Sequence, residues 1–158
     1  MDVLSLRKSS GEITGEVRLN GHLQEEKSFR RCTGYVEQFD VQSPQLTIRE
    51  TVSFSAKLRL SENDPAVTPE SREKFIEQTL SMLELTNIQD LQVGSDESGG
   101  LSFEQRKRLS IAVEVVANPS ILFLDEVRLG SIAVVRFLDL QNSHFDSRAS
   151  TANKWFGR

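Results

Sequence analysis

The chain has 158 residues, of which 37% are hydrophobic, and a formal net charge of -4, which suits one domain with a modest core and gives no support to a general nucleic-acid binder. Its single cysteine, Cys32, excludes an internal disulfide and indicates a reducing compartment. The most apolar runs, at 121–124 and 132–135, fall far short of the roughly 20 residues that a membrane-spanning helix needs.

Short strands are predicted over residues 12–38. Residues 13–19 alternate apolar and polar side chains, which is typical of a half-buried strand. They run into Asn20 and Gly21, a pair that favours a tight hairpin turn. The first part of the chain is therefore predicted to be rich in β-structure.

Two amphipathic helices are predicted next. Thr47 and Glu50 stand at the spacing of a capping box and predict a helix from about 48 to 60. Thr68 followed by Pro69 predicts the start of a second helix. Apolar residues recur at helical spacing along both: Ile48, Val52, Ala56 and Leu60, then Ile76, Leu80 and Leu83.

A third helix is predicted to begin at Ser102. Ser102 and Gln105 have capping-box spacing, so the serine caps the helix while the glutamine reaches back to it. Such a helix start, with Arg106 to Arg108 beside it, suits a phosphate. Pro119 ends the helix. Its apolar stripe consists of Leu109, Ala112, Val113 and Val116.

A short apolar run at 121–124 predicts a strand buried on both faces, and two acids follow it directly. In phosphoryl transfer, an aspartate at a strand end can hold Mg²⁺, and a neighbouring carboxylate can orient or deprotonate the attacking water. Asp125 is predicted to take the first role and Glu126 the second. The order of helix and strand thus indicates a nucleotide-hydrolysing core.

The segment at 99–114, continued through 117–120 to 125–126, resembles the nucleotide-binding domain of ATP-binding cassette (ABC) transporters. It is most similar to the second such domain of the pleiotropic drug resistance group in the G subfamily. The resemblance covers residues 1–126 and implies an α/β fold, a P-loop NTPase-like (ABC ATPase) core fragment with an antiparallel β part and an α-helical subdomain. The implied parts are a β-rich part with the Q-loop at 1–46, the helical subdomain at 47–100, the signature helix and Walker B strand at 101–126, and a divergent tail at 127–158.

On this resemblance, residues 101–105 match the ABC signature and 121–125 the Walker B strand, so Glu126 falls on the catalytic glutamate. Residues 34–38 resemble the strand that ends in the Q-loop glutamine. Gln38 is then expected to contact the metal and the attacking water, and Asp125 to bind the metal. Residues 145–149 resemble the D-loop, which makes Asp146 a D-loop candidate.

The ligands implied by the resemblance are ATP and Mg²⁺. Because two cassette domains of this family sandwich ATP head to tail, Ser102 and Gln105 of the signature are expected to serve, in trans, the nucleotide of the opposite domain. Phe103 and Glu104 replace two glycines of the common signature. A carboxylate beside a triphosphate is repulsive, so this composite site is expected to bind ATP without efficient hydrolysis.

The sequence also departs from the family. A phosphate loop needs G-x-x-x-x-G-K-[ST], and none of the nine glycines here precedes a lysine. The resemblance therefore implies a chain cut just before residue 1. Residues 127–144 match nothing in the family, and we expect an inserted or mis-joined segment there.

The expected function is that of a cassette fragment from an ATP-driven exporter of lipophilic compounds, with little or no ATPase activity as an isolated chain. Its expected partners are a second nucleotide-binding domain and transmembrane domains, with no nucleic acid. The expected location is the cytoplasmic face of a membrane, reached through transmembrane segments outside this chain, the fragment itself being soluble. Two alternatives stay open: a non-catalytic remnant or interaction module, and a soluble ABC-type ATPase of translation or DNA repair.

Overall fold

The computed structural model describes residues 2–19, 21–37, 42–60, 67–95 and 99–124. Within these ranges the chain forms helices that pack on one another and on a small parallel sheet. The elements are β1 (Arg18–Leu19), β2 (His22–Leu23), α1 (Glu26–Cys32), β3 (Thr33–Val36), α2 (Ile48–Arg59), α3 (Pro69–Met82), a 3₁₀ turn (Thr86–Ile88), β4 (Gly94–Ser95), β5 (Gly99–Gly100), α4 (Phe103–Val115) and β6 (Ile121–Leu124).

The β-rich prediction for residues 12–38 is partly wrong. A hairpin does form where it was predicted: β1 pairs antiparallel with β2, and Gly21 has a φ of +85°, a conformation that glycine adopts without strain. However, residues 26–32 form the helix α1 rather than a strand. An ion pair between Glu26 and Arg30, 2.9 Å apart, supports this helix, which buries only Phe29.

Helices α2 and α3 begin and pack as their sequences predict. Thr47 and Glu50 form the predicted capping box, and Thr68 forms one with Ser71. Arg49 of α2 pairs with Glu73 of α3, which ties the two helices together on the outside. The predicted apolar stripes are all buried: Ile48, Val52, Ala56 and Leu60 on α2, and Ile76, Leu80 and Leu83 at α3.

Helix α4 lies at the centre of the described core. Its stripe packs on α2 and α3, with Leu109, Ala112 and Val116 fully buried and Val113 partly buried. The short β4–β5 pair precedes it, and a side chain on Gly94 would lie 1.9 Å from the carbonyl oxygen of Gly99. The close approach of these two strands therefore requires a glycine at position 94.

Strands β3 and β6 pair in parallel, with Thr33 opposite Ile121 and Val36 opposite Leu124. The predicted strand at 121–124 is confirmed, but the prediction that both of its faces are buried is wrong, because all four residues are half-buried. Among the described residues β3 is the only strand paired with β6, so one of the two edges of β6 is paired there. None of the helices in the described ranges is long and apolar enough to cross a bilayer.

Candidate functional site

The candidate site lies at the edge of the sheet where β3 and β6 both end. Because the two strands are parallel and in register, Val36 and Leu124 lie side by side at their carboxyl ends. In the sequence, Gln38 comes two residues after β3 and Asp125 directly after β6. In open α/β sheets, ligands bind outside the carboxyl ends of the parallel strands, so we expect a nucleotide site at this edge.

The predicted catalytic residues themselves lie outside the described residues. This holds for Gln38, Asp125, Glu126 and the D-loop candidate Asp146. Their roles stay predictions, and the structure describes the strands that precede Gln38 and Asp125 in the sequence. In the part of the chain that is described, no group of three His, Cys, Asp or Glu side chains could hold a metal ion.

Helix α4 runs antiparallel to β3 and presents its first turns towards the same edge. Near the end of the helix, Glu114 accepts a hydrogen bond from the backbone N–H of Tyr35 at 3.2 Å. Two turns earlier, Lys107 donates to the carbonyl oxygen of Glu37 at 3.5 Å. Since residues 35 and 37 contact positions 114 and 107 in this order, the amino end of α4 lies at the carboxyl end of β3.

The amino end of α4 carries the predicted capping box. The hydroxyl oxygen of Ser102 accepts from the backbone N–H of Gln105 at 3.3 Å, and the side-chain amide oxygen of Gln105, Oε1, accepts from the backbone N–H of Ser102 at 2.8 Å. The cap uses a lone pair of the serine oxygen, whereas the serine hydroxyl also has one O–H to donate. Capping and contact with an anionic ligand are therefore chemically compatible at Ser102.

The residues around the cap are charged and partly exposed. Phe103 is 70% exposed, and the Lys107 ammonium lies 5.6 Å from the centre of its ring. Arg108 pairs with Glu84 at 2.8 Å. Lys107 and Arg108 thus connect α4 with its neighbours, and Glu104 remains as an acid in the first turn of the helix.

Sequence reasoning missed one charged residue of this region, Glu114. Its carboxylate is 20% exposed and forms an ion pair with Arg59 of α2 at 2.8 Å, besides accepting from Tyr35. The signal was available: Glu114 is the single acid within the apolar run at 111–117. A carboxylate in such a run needs a partner for each oxygen, and the fold provides both.

Taken together, a parallel strand pair, an acidic doublet after one strand and a capped basic helix define an α/β nucleotide-binding core of the P-loop NTPase type. A model of the family described as ABC transporter matches residues 3–128. The chain belongs to the ABC transporter family.

Individual relatives narrow this assignment. The chain is 48% identical over 130 residues to ABC transporter G family member 31 of Arabidopsis thaliana, and 50% identical over 130 residues to ABC transporter G family member 51 of Oryza sativa subsp. japonica. Each match covers 82% of this chain but 9% of the relative. The predicted resemblance to the G subfamily and the predicted P-loop NTPase fold are confirmed. Domains of this family bind ATP with Mg²⁺.

Proposed function

We propose that this chain forms part of an ATP-hydrolysing cassette that drives export of lipophilic compounds across a membrane. The observation that supports this most strongly is the parallel, in-register pairing of β3 with β6. It brings the ends of two strands to one edge, and the sequence continues from these ends into Gln38 and into Asp125 and Glu126. An amide and two carboxylates are the groups that water activation beside a magnesium-bound triphosphate requires.

Each residue has a distinct role in the proposed reaction. Asp125 and Gln38 would hold Mg²⁺ through their side-chain oxygens, and the ion would neutralise charge on the phosphates. Glu126 orients the attacking water and accepts its proton on a carboxylate oxygen. The amide of Gln38 also contacts that water, and its position after β3 connects the site with the body of the domain.

Ser102 is proposed to act on a different nucleotide, the one held by a second nucleotide-binding domain arranged head to tail. Its hydroxyl donates to a phosphate oxygen while the capping box with Gln105 fixes its position. Glu104 in the first turn places a negative charge beside that triphosphate. We therefore infer that this composite site binds ATP and hydrolyses it poorly.

The other partners proposed are transmembrane domains, which the helical part formed by α2 and α3 would contact from the cytoplasmic face of a membrane. The support for this is that the relatives are named as transporters, whereas no observation points to a nucleic acid. The same names favour a transporter over a soluble ATPase of translation or DNA repair.

Replacing the matching stretch of Arabidopsis ABC transporter G family member 31 with residues 3–126 of this chain tests the proposal. We expect the grafted protein, purified in detergent, to hydrolyse Mg·ATP. The variant Glu126→Gln should lower kcat by about 100-fold or more, since it removes the proton acceptor. The unmodified member 31 is the reference, and the same substitution at its own matching position is the matched control.

A grafted protein that folds and binds ATP without hydrolysing it would refute the proposal and favour a non-catalytic interaction module. Full activity in Glu126→Gln would refute the assignment of the base. For the 158-residue chain by itself we expect little or no turnover, since it contains no G-x-x-x-x-G-K-[ST] sequence. Turnover by this chain that disappears in Glu126→Gln would contradict that expectation.

A further inference from the structure

We propose that Glu114 is a positioning residue for ATP hydrolysis, which holds the strand leading to Gln38 in a fixed place relative to α2 and α4. The inference rests on the proposed function. It concerns the Glu114 junction, which we define as the Glu114 carboxylate, the Arg59 guanidinium and the backbone N–H of Tyr35. The junction joins three elements through one side chain.

The two oxygens of Glu114 have different partners. Oε2 accepts from the N–H of Tyr35 at 3.2 Å, and Oε1 pairs with Nη1 of Arg59 at 2.8 Å. The carboxylate is 20% exposed and the Arg59 side chain 32%. A partly buried carboxylate with a charged donor on one oxygen and a strand N–H on the other has little freedom to move.

The backbone of β3 is shaped to receive this carboxylate. A side chain on Gly34 would place its Cβ 2.9 Å from Leu122 Cδ1, 3.1 Å from Glu114 Oε2 and 3.2 Å from Pro119 Cγ. Any larger residue at position 34 would push against the junction and against β6 at once. The absence of a side chain there lets the carboxylate approach the strand edge closely.

Helix α2 also binds the end of α4 directly beside the junction. The Ser55 hydroxyl donates to the carbonyl oxygen of Val113 at 2.8 Å, and Arg59 donates to the same oxygen at 3.5 Å. The last carbonyl groups of a helix have no partner within it, so these bonds satisfy one of them. The position of Glu114 relative to α2 is thereby fixed at neighbouring residues.

Helix α4 contacts β3 at the junction and again just past the end of the strand. Glu114 holds the strand at Tyr35, and Lys107 of the same helix contacts the carbonyl oxygen of Glu37. Gln38 is the next residue in the sequence. A shift of α4 would therefore move the end of β3, from which the sequence continues to Gln38, and Glu114 would in this way set the position of this glutamine for catalysis.

Hydrogen exchange in the full 158-residue chain tests the contact without any nucleotide. The exchange protection of the Tyr35 amide is compared with that of the Leu109 amide, a residue of α4 that is fully buried. Glu114→Ala should lower the relative protection of Tyr35 about tenfold or more, because it removes a charged acceptor. The matched control is Glu84→Gln, which removes another carboxylate paired at 2.8 Å with an arginine, Arg108 of α4, and should leave Tyr35 unchanged.

Steady-state kinetics of the grafted protein test the role in catalysis. Per ATP-binding molecule, Glu114→Ala should lower kcat about tenfold while the KM for ATP stays within about twofold. Glu114→Gln keeps the volume and one acceptor oxygen, so it should fold and lose less activity. Arg59→Met should also have an intermediate effect, and Glu84→Gln none.

The outcomes separate the two proposals. Unchanged Tyr35 exchange in Glu114→Ala would disprove the contact, and an unchanged kcat in both Glu114 variants would reduce the junction to a structural role. An inactive grafted protein without further substitution would overturn the proposed function, and with it this role in catalysis. The exchange experiment would still decide whether Glu114 holds the strand.

Discussion

The capping box at the start of α4 can be tested by substitutions that separate its two possible duties. Ser102→Ala removes the acceptor for the Gln105 N–H, which lies 3.3 Å away, at the long end of hydrogen-bond distances. Because this N–H is near solvent, its cost in stability should be that of an ordinary lost helix cap, and not that of a buried N–H group left without an acceptor. We expect the free energy of unfolding to fall by about 0.5–1 kcal/mol.

Ser102→Asp keeps an acceptor and adds a negative charge at the amino end of a helix, which is favourable. This variant should stay within about 0.5 kcal/mol of the parent chain, although it replaces the hydroxyl donor that a phosphate needs. The pair of variants therefore separates the stability of the cap from its proposed contact with a nucleotide.

Urea unfolding of the 158-residue chain, followed by circular dichroism, measures the stability of both Ser102 variants. With an m-value of about 1.5 kcal/mol/M, Ser102→Ala should lower the midpoint by about 0.5 M. Ser5→Ala serves as a control, since Ser5 lies outside the helices and donates only to the carbonyl oxygen of Asp2. Equal midpoints for Ser102→Ala and Ser102→Asp would refute the claim that the serine oxygen caps the helix.

Three further predictions concern stability and reactivity. Leu80 is 1% exposed, and Leu80→Ala should lower the free energy of unfolding, measured in urea, by about 2–5 kcal/mol. Leu58 is 69% exposed, and Leu58→Ala should lower it by less than about 0.5 kcal/mol. Similar losses for the two variants would contradict the described core. The backbone N–H of Thr47 and then its hydroxyl lower the pKa of Glu50 below 4.5, so its contribution to stability is present above pH 4.5 and lost as the pH falls through the folded pKa. Urea midpoints of Glu50→Gln should therefore fall less steeply on acidification than those of the parent. Burial raises the pKa of the Cys32 thiol, so a thiol reagent at mildly alkaline pH should label the folded chain more slowly than the urea-unfolded chain, and equal rates would be inconsistent with this burial.

Local features of the fold were predictable from the sequence because neighbouring residues determine them. The capping boxes at Thr47 and Ser102 involve side chains three residues apart, and both form as predicted. The box at Thr68 closes with Ser71 instead of an acid, which shows that a short hydroxyl can take this position. The apolar stripes of the longer helices also follow from spacing alone.

Helix α1 was missed because its sequence carries little periodic signal. Seven residues make two turns, and Phe29 is its single buried side chain. In so short a segment, tertiary contacts decide between helix and strand. Phe29 packs near Phe123 of β6, with ring centres 6.3 Å apart, and Phe123 is far from Phe29 in the sequence.

The residue types of the candidate site stay predictions from the sequence, whereas the contacts that support the site could not be predicted from it. Spacing and family resemblance indicated Ser102, Gln38 and the acids at 125 and 126 as site residues. The contact between Glu114 and Tyr35 depends on how α4 lies against β3, which no local pattern encodes. An acid within an apolar helical run was the only indication that such a contact exists.

The central claim is that β3 and β6 bring Gln38 and Asp125 to one edge, and cross-linking measures this most directly. In a chain carrying Cys32→Ser, cysteines are introduced at positions 38 and 125 and treated with a short bismaleimide at low protein concentration. We predict an intramolecular cross-link, seen as a monomer that gains the mass of one linker while both of its thiols are consumed, whereas either single-cysteine chain gives only a mono-adduct with the second maleimide unreacted or hydrolysed. A double variant that stays folded and yields no monomeric cross-link would contradict the proposed site.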